Sequence, residues 1–199
     1  MISVTHTGEP PQLNTGEMPP QLNTGATLLA IARSAIRRQL GVNADAPESD
    51  EWLREPGACF ITLKQGEQLR GCIGSLKAHR PLLEDVKANA LAAAFRDPRF
   101  KPLEAAELDT TRMEVSLLSP LEPMKFESEQ DALSQLRPGV DGIVFEYGYH
   151  QSTFLPQVWE DLPDPAEFMA HLKQKAGLPP DFWDKQVKLA RYTVSKFSE

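Results

Sequence analysis

A thiol set between two glycines, in Leu69-Arg70-Gly71-Cys72-Ile73-Gly74, is the most chemically distinctive feature of this 199-residue sequence. If residues 68–76 form a strand, the side chains at 70, 72, 74 and 76 share one face. Arg70 and Cys72 then stand about 7 Å apart. At that separation a guanidinium attracts a thiolate by about 2.4 kcal/mol at an effective dielectric near 20, but by only about 0.6 kcal/mol in water. The first value raises the ionised fraction more than tenfold and the second hardly changes it, so burial decides. A thiolate made this way is a nucleophile or a metal ligand. Glycines on both sides let a ligand approach, and the amides of Gly71 and Gly74 can form part of an anion cradle.

The same residues also suit a packed strand. Cys72 is then a small core residue, the glycines mark a bulge or a tight sheet contact, and Arg70 is a strand-face charge. Register bears on the choice. A two-residue turn at Gln65-Gly66 places Cys59 opposite Cys72, whereas moving the turn centre by half a residue puts Phe60 there. Cys59 itself sits in an apolar run and reads as core packing.

Other chemistry has less footing. A Cys-His dyad would draw on His79, expected just before a helix, or on His150, expected in a hairpin turn; His6 lies in the N-terminal repeat and His171 on a helix. No Cys or His pair has zinc-ligand spacing, so no metal is expected. Two cysteines cannot hold a radical-SAM cluster. Neither phosphate-loop nor dinucleotide fingerprint occurs, and no cofactor is expected. Twenty-one basic against 28 acidic residues leave a net charge of -7, which repels polyanions. Arg33, Arg37 and Arg38 form the densest basic group and read as the solvated side of an amphipathic helix, so nucleic acid is not an expected partner. No apolar run approaches the roughly 20 residues of a membrane span, and the first residues lack a secretory pattern. The expectation is a soluble, cytoplasmic protein.

The elements that must hold the thiol follow from periodicity. Residues 7–25 carry a near-tandem repeat, Glu-Pro-Pro-Gln-Leu-Asn-Thr-Gly then Glu-Met-Pro-Pro-Gln-Leu-Asn-Thr-Gly. Its composition cannot pack a core, so residues 1–25 are expected to be a flexible tail and 26–199 a single domain. Thr27 is the expected cap of a helix with Leu28, Leu29, Ala32, Ile36 and Leu40 at helical spacing. Strands over 58–64 and 68–76 make a hairpin around Gln65-Gly66-Glu67. A helix runs from Pro81 to Asp97-Pro98, a strand over 112–118, and a short helix from Ser128. Two strands, 142–147 and 152–158, surround a Gly148 turn, a helix opens at Asp164-Pro165, and 187–197 alternates as a final strand. Without a βαβ rhythm this is an α+β chain with a largely antiparallel sheet and flanking helices.

The hexapeptide resembles the signature of the AMMECR domain family, also called AmmeMemoRadiSam system protein A. Four further stretches match in order: Ala94-Phe95-Arg96-Asp97-Pro98-Arg99-Phe100, Asp141-Gly142-Ile143-Val144, Thr153-Phe154-Leu155-Pro156-Gln157-Val158 and Lys175-Ala176-Gly177-Leu178-Pro179. The resemblance spans about residues 26–198. It implies a major and a minor lobe, with the thiol segment lining or lying beneath a cleft. It also implies association with a Memo-like protein and a radical-SAM protein. Residue by residue it marks Arg70, Gly71, Cys72 and Gly74 as the site, with Arg96, Asp97, Arg99 and Gln157 as polar members of the other motifs. Read as structure, Arg96 and Asp97 would be a helix-end ion pair, Arg99 a surface charge and Gln157 a ladder residue.

Two functions follow. In one, Cys72 activated by Arg70 attacks or holds a small electrophile, with the Gly71 and Gly74 amides stabilising negative charge. In the other, the chain is a non-catalytic accessory domain that binds a partner, with Cys72 used for packing.

Overall fold

The computed structural model describes residues 21–199. The first element, α1 (Gln21–Gln39), starts inside the second copy of the repeat, six residues before the cap expected at Thr27. Thr27 is instead a buried residue within the helix. The rest of the expected tail, residues 1–20, lies outside the described residues. Leu28, Ile31, Ala32 and Ile36 form the buried stripe that the helical spacing predicts.

A hairpin of β1 (Ala58–Gln65) and β2 (Gln68–Gly74) follows, then α2 (Leu82–Phe95) and β3 (Thr111–Leu118). The two-residue turn is Gly66-Glu67, with Gly66 at φ 59°, the sign that such hairpin turns need. Neither expected register is found. Thr62 stands opposite Cys72, because the pairing slips by one residue between Leu63 and Lys64 and leaves Arg70 as the extra residue of a bulge. The hairpin also ends at Gly74, short of Leu76.

Beyond β3 come β4 (Glu122–Pro123), α3 (Glu129–Ser134), β5 (Gly142–Tyr147), β6 (His150–Phe154), α4 (Pro165–Lys175), β7 (Lys188–Tyr192) and β8 (Val194–Ser198). Ser128 and Asp164 cap α3 and α4 through their side chains, as their residue types predict. The strand expected over 152–158 stops at Phe154. Pro156 lacks the N–H that a ladder needs and opens a 3-10 turn, Pro156–Glu160, which carries Gln157. The single strand expected over 187–197 is two strands, β7 and β8, which lie in different sheets.

The fold is α+β with two four-stranded sheets, ordered β2-β1-β3-β8 and β4-β7-β5-β6, in which every pairing is antiparallel. One face of the first sheet, carrying Cys59, Ile61, Leu63, Met113 and Val115, packs under α1 and α2 as the larger core. Each fully buried Leu, Ile or Val side chain there contributes about 1.5–3 kcal/mol. The second sheet buries Ile143, Phe145 and Leu189 against Phe168, Met169 and Leu172 of α4, and Trp159 stacks on Phe168 at 3.8 Å. A third cluster, built on Ala58, Leu118, Val144 and Tyr192 with Phe60 and Leu155 beside it, joins the two lobes.

Candidate functional site

Pairing register fixes what surrounds the thiol. Cys72, Thr62, Glu114 and Ser198 form one row across the first sheet, on the face opposite the helices. The next row is Gly74, Phe60, Ser116 and Lys196. Cys72 is half-buried, whereas Cys59 on the other face is fully buried. The Thr62 hydroxyl donates to the Cys72 sulfur at 3.4 Å. Burial first, and the nearby Asp85 carboxylate second, push the Cys59 thiol far above its ordinary range, which makes it inert core packing.

Arg70 does not serve the thiol. Its Nε and one terminal nitrogen grip the Glu107 carboxylate at 3.0 and 3.1 Å, and its terminal nitrogens also reach the carbonyls of Lys101 at 2.8 Å and Pro102 at 3.4 Å. This fork geometry lowers the Glu107 carboxyl from 4.5 to about 2, chiefly through the Arg70 hydrogen bonds. The guanidinium beside Cys72 is that of Arg99, which donates to the Cys72 carbonyl at 3.2 Å.

Arg99 is itself paired. It binds Asp97 through Nε at 2.9 Å and a terminal nitrogen at 2.7 Å, and Asp97 accepts the Cys72 backbone N–H at 3.0 Å. Those Arg99 bonds, then the N–H groups of Cys72 and Arg99, hold the Asp97 carboxyl well below the usual carboxylate range despite its burial. Strand β2 is an edge strand, and this carboxylate and guanidinium meet its outward N–H and C=O just as a neighbouring strand would. The helix-end ion pair expected between Arg96 and Asp97 is therefore replaced by one between Arg99 and Asp97. Arg96 is exposed, with its terminal nitrogen 3.4 Å from the Ala88 carbonyl.

The glycines answer to packing. A Cβ on Gly71 would lie 2.2 Å from the Ala93 carbonyl oxygen of α2, and one on Gly74 would lie 2.3 Å from the Phe60 ring and 2.6 Å from the Cys59 carbonyl. Gln157 sits apart from the hexapeptide on its 3-10 turn, with Oε1 buried and without a hydrogen bond in the structure. His79 and His150 bond the carbonyls of Lys77 and Ala176. Among the described residues no three His, Cys, Asp or Glu side chains gather into a group that could hold a metal. Of the helix arginines, Arg33 pairs with Glu199, and Arg38 lies 3.6 Å from both Asp45 and Glu48.

Two features were not read from the residues themselves, although the family resemblance implied a cleft. The first is a buried carboxylate, Asp85, which accepts from the Cys59 amide at 2.9 Å, the Ser75 hydroxyl at 2.7 Å, Arg80 Nε at 2.9 Å and Asn89 at 2.9 Å. Its signal was present: Asp85 and Asn89 are polar residues four apart on the core-facing stripe with Leu82, Val86, Ala90 and Ala93. This cluster fastens the segment after β2 to α2. The second is a cavity of about 360 Å³ between the lobes, lined by Leu76, Lys77, Val144, Gln151, Ser152, Thr153 and Lys175. A neighbouring cavity of about 310 Å³ shares Leu76 and Lys77 and extends toward Leu118 and Leu121. The residues that follow the hexapeptide line these cavities; Cys72 does not. No helix among the described residues is long and apolar enough to cross a membrane.

Comparison with known proteins places this geometry in a lineage. A family model described as AMMECR1 matches residues 29–197. A protein of Methanothermobacter thermautotrophicus is 39% identical over 178 residues, covering 87% of this chain and 93% of its own. Protein MJ0810 of Methanocaldococcus jannaschii is 39% identical over 173 residues, covering 84% of this chain and 86% of its own. The crystal structure of an uncharacterised protein from Pyrococcus horikoshii, PH0010, superposes with a TM-score of 0.73 at 35% identity, covering 88% of this chain and 91% of that one.

Proposed function

This chain belongs to the AMMECR1 family, and from that premise we propose that it is a non-catalytic accessory domain that binds through the cleft between its lobes, while the hexapeptide serves the fold. One observation supports this reading: the guanidinium two positions before Cys72 is engaged elsewhere. Arg70 is held by Glu107, the Cys72 amide by Asp97, and Gly71 is pressed on the Ala93 carbonyl. Arg99, which donates to the Cys72 carbonyl, is matched by the Asp97 carboxylate. In this reading the domain works in the cytoplasm beside the Memo-like and radical-SAM proteins that the family resemblance implies, and any radical chemistry belongs to the partner.

The competing reading, a thiol-dependent enzyme or group carrier acting on a small molecule through Cys72, keeps one observation in its favour: the sulfur is half-buried and accepts the Thr62 hydroxyl. One measurement separates the readings. Co-purification with a Memo-like or radical-SAM protein is expected to survive Cys72→Ser, and loss of all association on that substitution overturns the accessory reading.

A further inference from the structure

The cavity between the lobes has a one-sided chemistry. Leu76 and Val144 give it apolar walls, and Leu76 is 36% exposed although it is a large apolar residue. Lysines stand on opposite lobes: Lys77 just after β2, and Lys175 in the last turn of α4. Lys77 Nζ lies 3.0 Å from Glu146 Oε1, an oxygen that also accepts from Gln151 Nε2 at 2.5 Å. Lys175 Nζ donates to the Thr153 carbonyl at 3.0 Å and lies 5.0 Å from the Phe154 ring centre. Two ammonium groups therefore border the cavity, one bonded to a carboxylate and the other to a backbone carbonyl. A chain of net charge -7 here keeps a local positive excess beside an apolar surface.

From these facts we infer that the cavity between Leu76-Lys77 and Lys175 binds a small monoanion with an apolar body, of the class of a short-chain carboxylate. The inference deepens the binding reading above by naming the ligand class. The ammonium of Lys175 receives the anionic head, and the exposed Leu76 and the Val144 wall cover the apolar body. About 360 Å³ suits a ligand of modest size, near the lower bound of small-molecule sites. The walls contain no aromatic platform and no arginine fork, so a nucleotide or a diphosphate is a poor fit. The Asp85 cluster, by fastening Ser75 and Arg80 to α2, holds the Leu76-Lys77 wall in place for this ligand.

Hexanoate is the probe, with hexylammonium as its charge-reversed control, and binding to the full chain is followed by calorimetry and amide chemical shifts. Hexanoate is expected to bind with shifts centred on Leu76, Val144 and Thr153, while hexylammonium does not. Lys175→Met should weaken hexanoate at least about tenfold, the loss of one close charge contact in a half-screened site. Glu146→Gln, which releases Lys77, should tighten it about two- to threefold. Absence of hexanoate binding at millimolar concentration, equal binding of the two probes, or insensitivity to both substitutions overturns the inference. The same titration on Cys72→Ser keeps the two proposals apart. If that variant binds hexanoate but loses its partner proteins, the accessory reading fails and this one stands. If it keeps its partners and no form binds hexanoate, this one fails alone.

Discussion

At the residue scale, Glu107 determines what Arg70 does. The Arg70 side chain is 12% exposed and the Glu107 side chain 29%, so their forked pair is partly shielded and should be worth on the order of 1–2 kcal/mol. The carboxyl titrates at about 2 in the folded chain against an ordinary 4.5, so the folded state binds fewer protons through that interval. Its contribution is therefore complete above about pH 4.5 and is lost as pH falls toward 2. Denaturant unfolding should show Glu107→Gln less stable than the parent by about 1–2 kcal/mol at pH 7, with the gap narrowing steadily below pH 4.5. A gap that is constant with pH would mean that the pair contributes nothing through its charge. The thiol, its glycines and the arginine two positions before it were all legible in the sequence. The side chain's destination was not, because a single extra residue at Arg70 breaks the alternation of β2, and the partner carboxylate lies 37 residues away. That Asp97 pairs with Arg99 and not with Arg96 was not legible either, since sequence adjacency says nothing about which cation can reach around to an edge strand.

At the element scale, the contact that sets the position of β2 is the close approach of α2. The Gly71 Cα lies so near the Ala93 carbonyl that a methyl group there would overlap backbone, which has no rotamer to retreat into. Gly71→Ala should cost about 1–3 kcal/mol in urea unfolding and should shift the amide signals of residues 90–95. A neutral effect would show that α2 can lift without penalty. Hairpin, helices and caps were readable from spacing because each rests on local rules: alternation in β1, the 3.6 period in α1 and α2, and Ser128 and Asp164 as capping types. Register and sheet membership were not, because they are long-range facts. The alternating run 187–197 is equally good as one strand or two, and only its neighbours, Gly142–Tyr147 for one half and Thr111–Leu118 for the other, divide it at Thr193. Gln157 went astray more simply, since Pro156 had already announced the end of the ladder.

At the scale of the whole molecule, the lobes have separate cores but are coupled by the cluster around Val144 and Tyr192, by the ion pair of Lys77 with Glu146, and by covalent passage of the chain from β3 into β4 and of one extended segment, β7 and β8, from the second sheet into the first. Tyr192 is buried in that junction cluster, while its hydroxyl, 3.1 Å from the Phe154 carbonyl and 3.0 Å from the Thr153 hydroxyl, ties it to the second sheet. Unfolding should therefore be a single cooperative event. Trp52 packs on the larger core and Trp159 lies in the smaller, so variants retaining one or the other as sole tryptophan should give superimposable denaturation curves. Separated midpoints would show that the lobes melt independently. The shared segment also has a consequence for biosynthesis. Strand β7 lies between β4 and β5, and β8 closes the far edge of the first sheet, so neither lobe is whole until residues 188–198 have left the ribosome. Phe145 and Ile143 are covered by α4, and Val115 by α1 and α2, before that stretch is made, but one edge of β5 and one edge of β3 stay without their ladder partners until the same short run of polypeptide arrives, so the unfinished chain carries open strand edges that another chain could pair with.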